Sequence, residues 1–259
     1  MRILLTNDDG INAPGLAVLE AIAANLTAPE NIWVVAPAFE QSGVAHCISY
    51  TRPLLIAEMG PRRFAVEGSP ADCVIAGVGE AMPGRPDLVL SGVNRGNNSA
   101  ENTLYSGTLG AALEGALQGI PSIGLSQYYG AGNVKADDPF EAARVHGAET
   151  VRRLLKAGFE GEAEYGLFYN VNFPPVMAED VQGTQVVRQG VRPGVHFGAE
   201  GAVAPNGRRF LWIRGGNQHV DVAEGTDAAA NMAGYISVTP MRADLTAHDA
   251  LPHVAAAFE

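Results

Sequence analysis

Two adjacent carboxylates, Asp8 and Asp9, follow directly on the apolar run Arg2-Ile3-Leu4-Leu5-Thr6 in the opening MRILLTNDDG. Side by side they repel, and where burial adds to the repulsion they stay ionised only beside a cation or strong hydrogen-bond donors. A lone Asp-Gly is an ordinary Asx-turn, which needs one side chain. The second carboxylate adds repulsion that a turn alone does not offset. Two further polar stretches can join the pair: Glu40-Gln41-Ser42-Gly43, and the glycine-rich Ser91-Gly92-Val93-Asn94-Arg95-Gly96-Asn97-Asn98. Two carboxylates, an amide oxygen and a hydroxyl form a hard, all-oxygen set that suits Mg2+ or Mn2+ and not a structural zinc.

A second signal is Tyr105-Ser106-Gly107-Thr108-Leu109-Gly110, which reads as the start of a small-residue helix. First-turn N–H groups lack intrahelical partners, so with the hydroxyls of Ser106 and Thr108 they make a site the size of a phosphate. Capping by Ser106 is the structural alternative, and one hydroxyl can serve both purposes. No G-x-x-x-x-G-K-[ST] is present, no G-x-G-x-x-G follows the first strand, and H-E-x-x-H and G-x-S-x-G are also missing. The six histidines form no close pair, and only His46, soon after Ser42, stays a candidate. A divalent metal beside an anion cradle is the layout of metal-assisted phosphoester hydrolysis.

Such loops need strands to carry them. Strand-like runs at Arg2–Thr6, Asn31–Ala36, Pro86–Leu90 and Ser122–Leu125 alternate with helix-like segments at Pro14–Leu26, Pro70–Met82, Gly107–Gln118 and Asp138–Ala157. The alternation predicts an α/β fold, a Rossmann-like, mostly parallel sheet flanked by helices. Ligands of such sheets collect at the carboxyl ends of the strands, so the three polar loops are expected to meet at one edge. From about Gly183 to Gly216 the chain turns β-rich, with Thr184–Arg188 and Arg208–Ile213 strand-like and Asn206-Gly207 a strong two-residue hairpin signal. Residues Asp227–Gly234 and the strand-like Tyr235–Val238 then precede an Ala-rich tail. No linker divides the chain, so 1–259 reads as a single domain, with about 183–259 holding a C-terminal β-hairpin extension and tail.

At 259 residues and 47% hydrophobic content the chain is expected to be globular, and its net charge of -11 argues against binding nucleic-acid polymers or anionic membranes. No apolar stretch approaches the ~20 residues of a membrane span, nor is there a leader-like N-terminus, so a cytoplasmic location is expected. Cys47 and Cys73 form no C-x-x-C and are expected to be core thiols.

Taken in order, Asn7-Asp8-Asp9-Gly10, Gln41-Ser42-Gly43, Gly68-Ser69-Pro70-Ala71-Asp72-Cys73, Ser91-Gly92-Val93-Asn94-Arg95-Gly96, Tyr105-Ser106-Gly107-Thr108 and Tyr235-Ile236-Ser237-Val238-Thr239-Pro240 resemble the SurE family, the survival protein E 5'-nucleotidases. The resemblance runs nearly the whole chain. It implies a metal-dependent phosphatase of nucleoside 5'-monophosphates, with 3'-nucleotides and short polyphosphate as further substrates in some members. It also implies one Mg2+ or Mn2+ per subunit on Asp8, Asp9, Ser42 and Asn94, with Asp8, Asp9 and Asn94 the catalytic set. Ser106, Gly107 and Thr108 fall on the family's phosphate-facing residues, with the amides around Gly43 next to them. A homodimer or homotetramer exchanging C-terminal elements is implied too. After Asn97 the run Asn98-Ser99-Ala100-Glu101-Asn102 departs from the family's usual Gly followed by an acidic or amide residue. A non-catalytic nucleotide sensor and a phosphotransferase to an alcohol are the rival readings of the same pocket.

Overall fold

The computed structural model describes residues 1–160 and 164–259. Its strands are β1 (Ile3–Thr6), β2 (Ile32–Pro37), β3 (Ile56–Gly60), β4 (Arg63–Val66), β5 (Leu88–Arg95), β6 (Ser122–Gln127), β7 (Phe168–Phe173), β8 (Thr184–Val186), β9 (Gly198–Val203), β10 (Arg209–Arg214) and β11 (Ile236–Met241). The α-helices are α1 (Pro14–Ala24), α2 (Pro70–Ala76), α3 (Gly107–Leu117), α4 (Glu141–Ala157), α5 (Asp227–Met232) and α6 (Leu251–Ala255). Among the described residues nine strands form one sheet in the order β3-β4-β2-β1-β5-β6-β7-β11-β8, and β9 and β10 form a separate ribbon. The sheet is parallel except at its β3–β4 and β7–β11 pairs.

Alternation along the strands sorts the core into two layers. Ile3 and Leu5 of β1 pack with Leu16, Leu19 and Ile22 of α1 and with Val151 and Leu154 of α4, whereas Leu4 packs with Cys73 and Val74 of α2 and Ala111 of α3. Successive strand side chains point to opposite faces, so one short apolar run anchors both helix layers. Full burial of each such aliphatic side chain contributes about 1.5–3 kcal/mol.

The parallel, helix-flanked sheet was legible from the alternation, while β3, β4, β7 and β9 were not. Four local readings are corrected. Thr184–Val186 is an outer strand of the main sheet, paired parallel with β11, and not part of the hairpin. The ribbon partner of β10 is β9, and the connection runs from Ala204 to Arg208, with Ala204 N donating to Arg208 O, so it is longer than a two-residue turn. Cys47 is exposed, on the loop after β2, while Cys73 is buried as expected. Helix α2 also stops short of Met82, passing into a π-helical turn at Gly77–Ala81.

Candidate active site

Strand β1 lies between β2 and β5, and the chain passes to β2 on one side and later to β5 on the other, which makes the β1–β5 boundary the topological switch point. A crevice opens there at the carboxyl ends of an α/β sheet. Asn7 begins it: its Nδ2 donates to Gly10 O and its Oδ1 accepts from Gly10 N, closing a turn that projects the two carboxylates. The Asx-turn expected of the Asp-Gly pair is thus made by Asn7 and not by either aspartate. Asp8 and Asp9 are left for other work.

The two carboxylates are held differently. Asp8, only 4% exposed, accepts from Thr108 Oγ1 at 2.7 Å on Oδ1 and from Thr108 N at 3.1 Å on Oδ2. Burial is the main cause that pushes its pKa up to about 6, with Asp9 adding to the rise and the Thr108 donors opposing it. Asp9 accepts from Arg95 N at 3.0 Å on Oδ2. Its pKa is also raised, chiefly by burial, with the Arg95 amide and guanidinium drawing it back. A carboxylate whose ionised form is disfavoured chiefly by burial is a place a cation would stabilise.

Helix α3 begins directly against this pair. A Cβ on Gly107 would stand 2.9 Å from Asp8 Cβ and 3.1 Å from Asp8 Oδ2, so the missing side chain is what lets the helix start approach. Ser106 caps α3, its Oγ accepting from Leu109 N at 3.0 Å. The strand opposite makes a similar accommodation: the β5–β6 register shifts between Ser91 and Asn94, and Gly92, at φ 134°, has no room for a Cβ beside Leu125 O. That irregularity delivers Asn94 within β5 rather than on the loop after it, and its Nδ2 donates to Gly96 O at 2.9 Å. Among the described residues no donor reaches Asn94 Oδ1, which leaves an amide oxygen free.

A pocket of about 340 Å³ gathers Asp8, Ser42, Gly43, Asn94 and Ser106. Asp9 lines an adjoining cleft with Glu40 and Arg95. Ser42 Oγ donates to Glu40 Oε1 at 2.8 Å, which leaves its lone pairs open. Thr108 stands apart from the sequence expectation, being fully buried with hydroxyl and amide both given to Asp8. His46 sits elsewhere, 2.8 Å from Glu114 Oε2, where the imidazole hydrogen bond holds the Glu114 carboxyl below its usual range. The Ser69-Pro70-Ala71-Asp72 stretch is a capping box at the start of α2, and Asp72 Oδ1 further accepts from Ser49 N.

Sequence reasoning missed how the loop after β5 is fixed. Asn98 N donates to Asn172 Oδ1 and Asn170 Nδ2 to Asn98 O, while Ala100 N donates to Asp227 Oδ2. Arg192, 2% exposed, also reaches this loop, pairing with Glu101 at 2.9 Å. The partners come from β7, α5 and the segment after β8, too far along the chain for any local pattern to reveal.

Known proteins resemble the chain over nearly its whole length. The 5'-nucleotidase SurE of Ruegeria sp. (strain TM1040) is 65% identical over 253 residues, covering 97% of each chain. That of Roseobacter denitrificans is 62% identical over 257 residues, covering 98% of each. The crystal structure of the SurE protein from Aquifex aeolicus superimposes with a TM-score of 0.81 at 34% identity over 100% of both chains. A family model described as Survival protein SurE matches residues 3–194, and the chain belongs to that family.

Proposed function

We propose that the chain hydrolyses nucleoside 5'-monophosphates to nucleoside and inorganic phosphate with the help of one divalent cation per subunit, Mg2+ or Mn2+. Relatives 62 to 65% identical carry the name 5'-nucleotidase SurE, which supports the activity. The single observation that carries the site is the close approach of Gly107 to Asp8, which sets the start of α3 against one of the two carboxylates, with Asp8 and Ser106 lining one pocket and Asp9 the cleft that adjoins it.

The donor set fits a hard cation. Asp8 and Asp9 supply negative charge, and Ser42 Oγ and Asn94 Oδ1 supply neutral oxygens. Among the described residues no group of three or more His, Cys, Asp or Glu that could hold a metal is found, so a cation here would depend on the neutral oxygens of Ser42 and Asn94 as well as on the two carboxylates. When bound there, the cation supplies Lewis acidity toward the phosphoryl group and toward water.

The chain's own residues do the rest. Ser106 Oγ and the Gly107 amide, which precedes any intrahelical bonding, take the phosphate oxygens, with the Gly43 amide on the same pocket wall. Thr108 occupies both oxygens of Asp8 and so acts by holding that carboxylate in place. Among the described residues Asp9 Oδ1 accepts no hydrogen bond, and this is the oxygen that orients the attacking water and accepts its proton. Asn94, fixed by Gly96 O, presents its amide oxygen without needing to reorient.

The test is release of inorganic phosphate from a panel of nucleoside 5'- and 3'-monophosphates and short polyphosphate, with Mg2+ or Mn2+ and then with chelator. Phosphate release that stops on chelation supports the reading. Nucleotide binding without release would turn the protein into a sensor, and transfer of the group to added alcohol in place of water would make it a phosphotransferase.

A further inference from the structure

One part of the pocket has no part in handling the phosphate. Asn97 and Gln218 line it, and their carboxamides are wired to Arg192, a side chain that can only donate. Arg192 NH2 donates to Asn97 Oδ1 and to Ser99 Oγ, both at 2.9 Å, while NH1 donates to Ser99 O at 3.1 Å and to Glu101 Oε1 at 2.9 Å. Ser99 Oγ adds a donor to Asn97 Oδ1 at 2.7 Å. Rotating the Asn97 amide would set its NH2 against the guanidinium and a second donor, so the oxygen is pinned on the Arg192 side.

The consequence passes outward. Asn97 Nδ2 donates to Gln218 Oε1 at 2.6 Å, which pins that second amide the same way round. Gln218 Nε2 then has no partner among the described residues, and one Nδ2 hydrogen of Asn97 is likewise unspent. A buried cation has been converted, through two neutral amides, into N–H groups at a pocket. Tyr105 and Phe197 line the same pocket, rings 4.9 Å apart at 75° and 44% and 45% exposed, which is an apolar surface for a flat ring. Gln218 lies beyond residues 3–194, the stretch that the family model matches.

We propose that Asn97 and Gln218 recognise the nucleoside part of the substrate by donating hydrogen bonds to its acceptor atoms, beside the Tyr105–Phe197 surface, and that Arg192 is the positioning residue that sets the polarity of both amides. The proposal rests on the nucleotidase reading for its ligand. A site built to donate discriminates against ligands that leave its N–H groups unpaired.

Asn97→Asp and Gln218→Glu test it, because each keeps shape and the inner acceptor while removing the outward donor. Calorimetric affinity and steady-state kinetics are read for a nucleoside 5'-monophosphate, its 2'-deoxy form and ribose 5-phosphate. The expected result is a rise of about tenfold or more in Kd and KM for the nucleotide, with kcat within a few-fold. A smaller rise for ribose 5-phosphate assigns the acceptor to the base, and an equal rise that shrinks for the 2'-deoxy form assigns it to the ribose. Arg192→Met should raise KM in the parent but not in an Asn97→Ala background, although its cost in Tm persists in both. Unchanged nucleotide affinity in both amide variants overturns the proposal, as does a fall in kcat at constant KM. A parent that binds nucleotide without releasing phosphate removes the nucleotidase reading alone, and a parent that binds no nucleotide removes both.

Discussion

The crevice at the end of β1 and the β9–β10 ribbon treat their side chains in opposite ways. In the crevice Asp8, Ser106 and Thr108 are polar and buried, each with a named partner. In the ribbon Phe210, Leu211, Trp212 and Ile213 are apolar and more than half exposed. A two-stranded ribbon has no second layer against which to bury them. Polar groups are buried in the crevice where each finds a hydrogen-bond partner, and apolar groups are left out on the ribbon where another surface can cover them. In the first region the named partners all come from the same chain. For the second we propose a partner subunit, in a dimer or tetramer.

The sharpest way to break the contrast is to remove charge from the crevice. Asp9→Asn keeps the shape but takes a charge that a hard cation needs, so kcat/KM should fall on the order of 10³-fold while the melting temperature holds or rises. Activity within a few-fold of the parent would remove Asp9 from the cation site.

Next in size is the pH dependence of metal-free stability. Asp8 has its pKa raised from 3.8 to about 6 in the folded chain, so between those values the folded state keeps a proton that the unfolded state has released. Stability is therefore highest below the unfolded value and falls as pH rises toward 6, by about 3 kcal/mol for this group alone. Mn2+ or Mg2+ should raise Tm more at about pH 7.5 than at about pH 5, and equal increments at both would show that the cation does not meet Asp8.

Ser106→Ala separates capping from anion binding. Loss of a cap costs about 0.5–2 kcal/mol of stability, whereas loss of a donor to transition-state charge costs roughly 10²-fold in rate. The expected outcome is weaker inhibition by phosphate or vanadate and a drop in kcat/KM near the larger effect. A change in Tm alone would leave Ser106 a cap.

The smallest effect on the fold belongs to the ribbon. Replacing Leu211 and Trp212 by Ser should alter monomer stability by no more than about 0.5 kcal/mol each, since both are solvent-exposed. The mass by light scattering should nonetheless drop to that of one chain. A parent that already has that mass at micromolar concentration would end the subunit reading.

Legibility in the sequence followed the range of the interactions. The doubled Asp, the Ser106 helix start and the two-layer strands are local signals, because turn chemistry, capping and alternation are written in neighbouring residues. Strand β7 was not recognised: in Phe-Tyr-Asn-Val-Asn-Phe the asparagines interrupt the apolar run, and only the structure shows Asn170 and Asn172 fully buried against Asn98. Thr108 was read as facing phosphate because its partner, Asp8, lies 100 residues away. Arg192 carried no signal at all, since an isolated Arg in a polar stretch looks like surface until its four acceptors are seen.

The anchors of the loop after β5 also set an order of assembly. A ribosome delivers Asp8, Asn94 and Ser106 long before Arg192, Gln218 and Asp227, and β11 must insert between β7 and β8 before the sheet closes. Domains generally fold as units during synthesis, so the sheet waits for its last strands. A growing polypeptide thus carries Asp8, Asn94 and Ser106 while the loop beside them still lacks Arg192 and the Asp227 carboxylate that holds Ala100. On the readings proposed above, Arg192 and Gln218, which would set substrate choice, are synthesised after Asp8, Asn94 and Ser106, which would perform the chemistry.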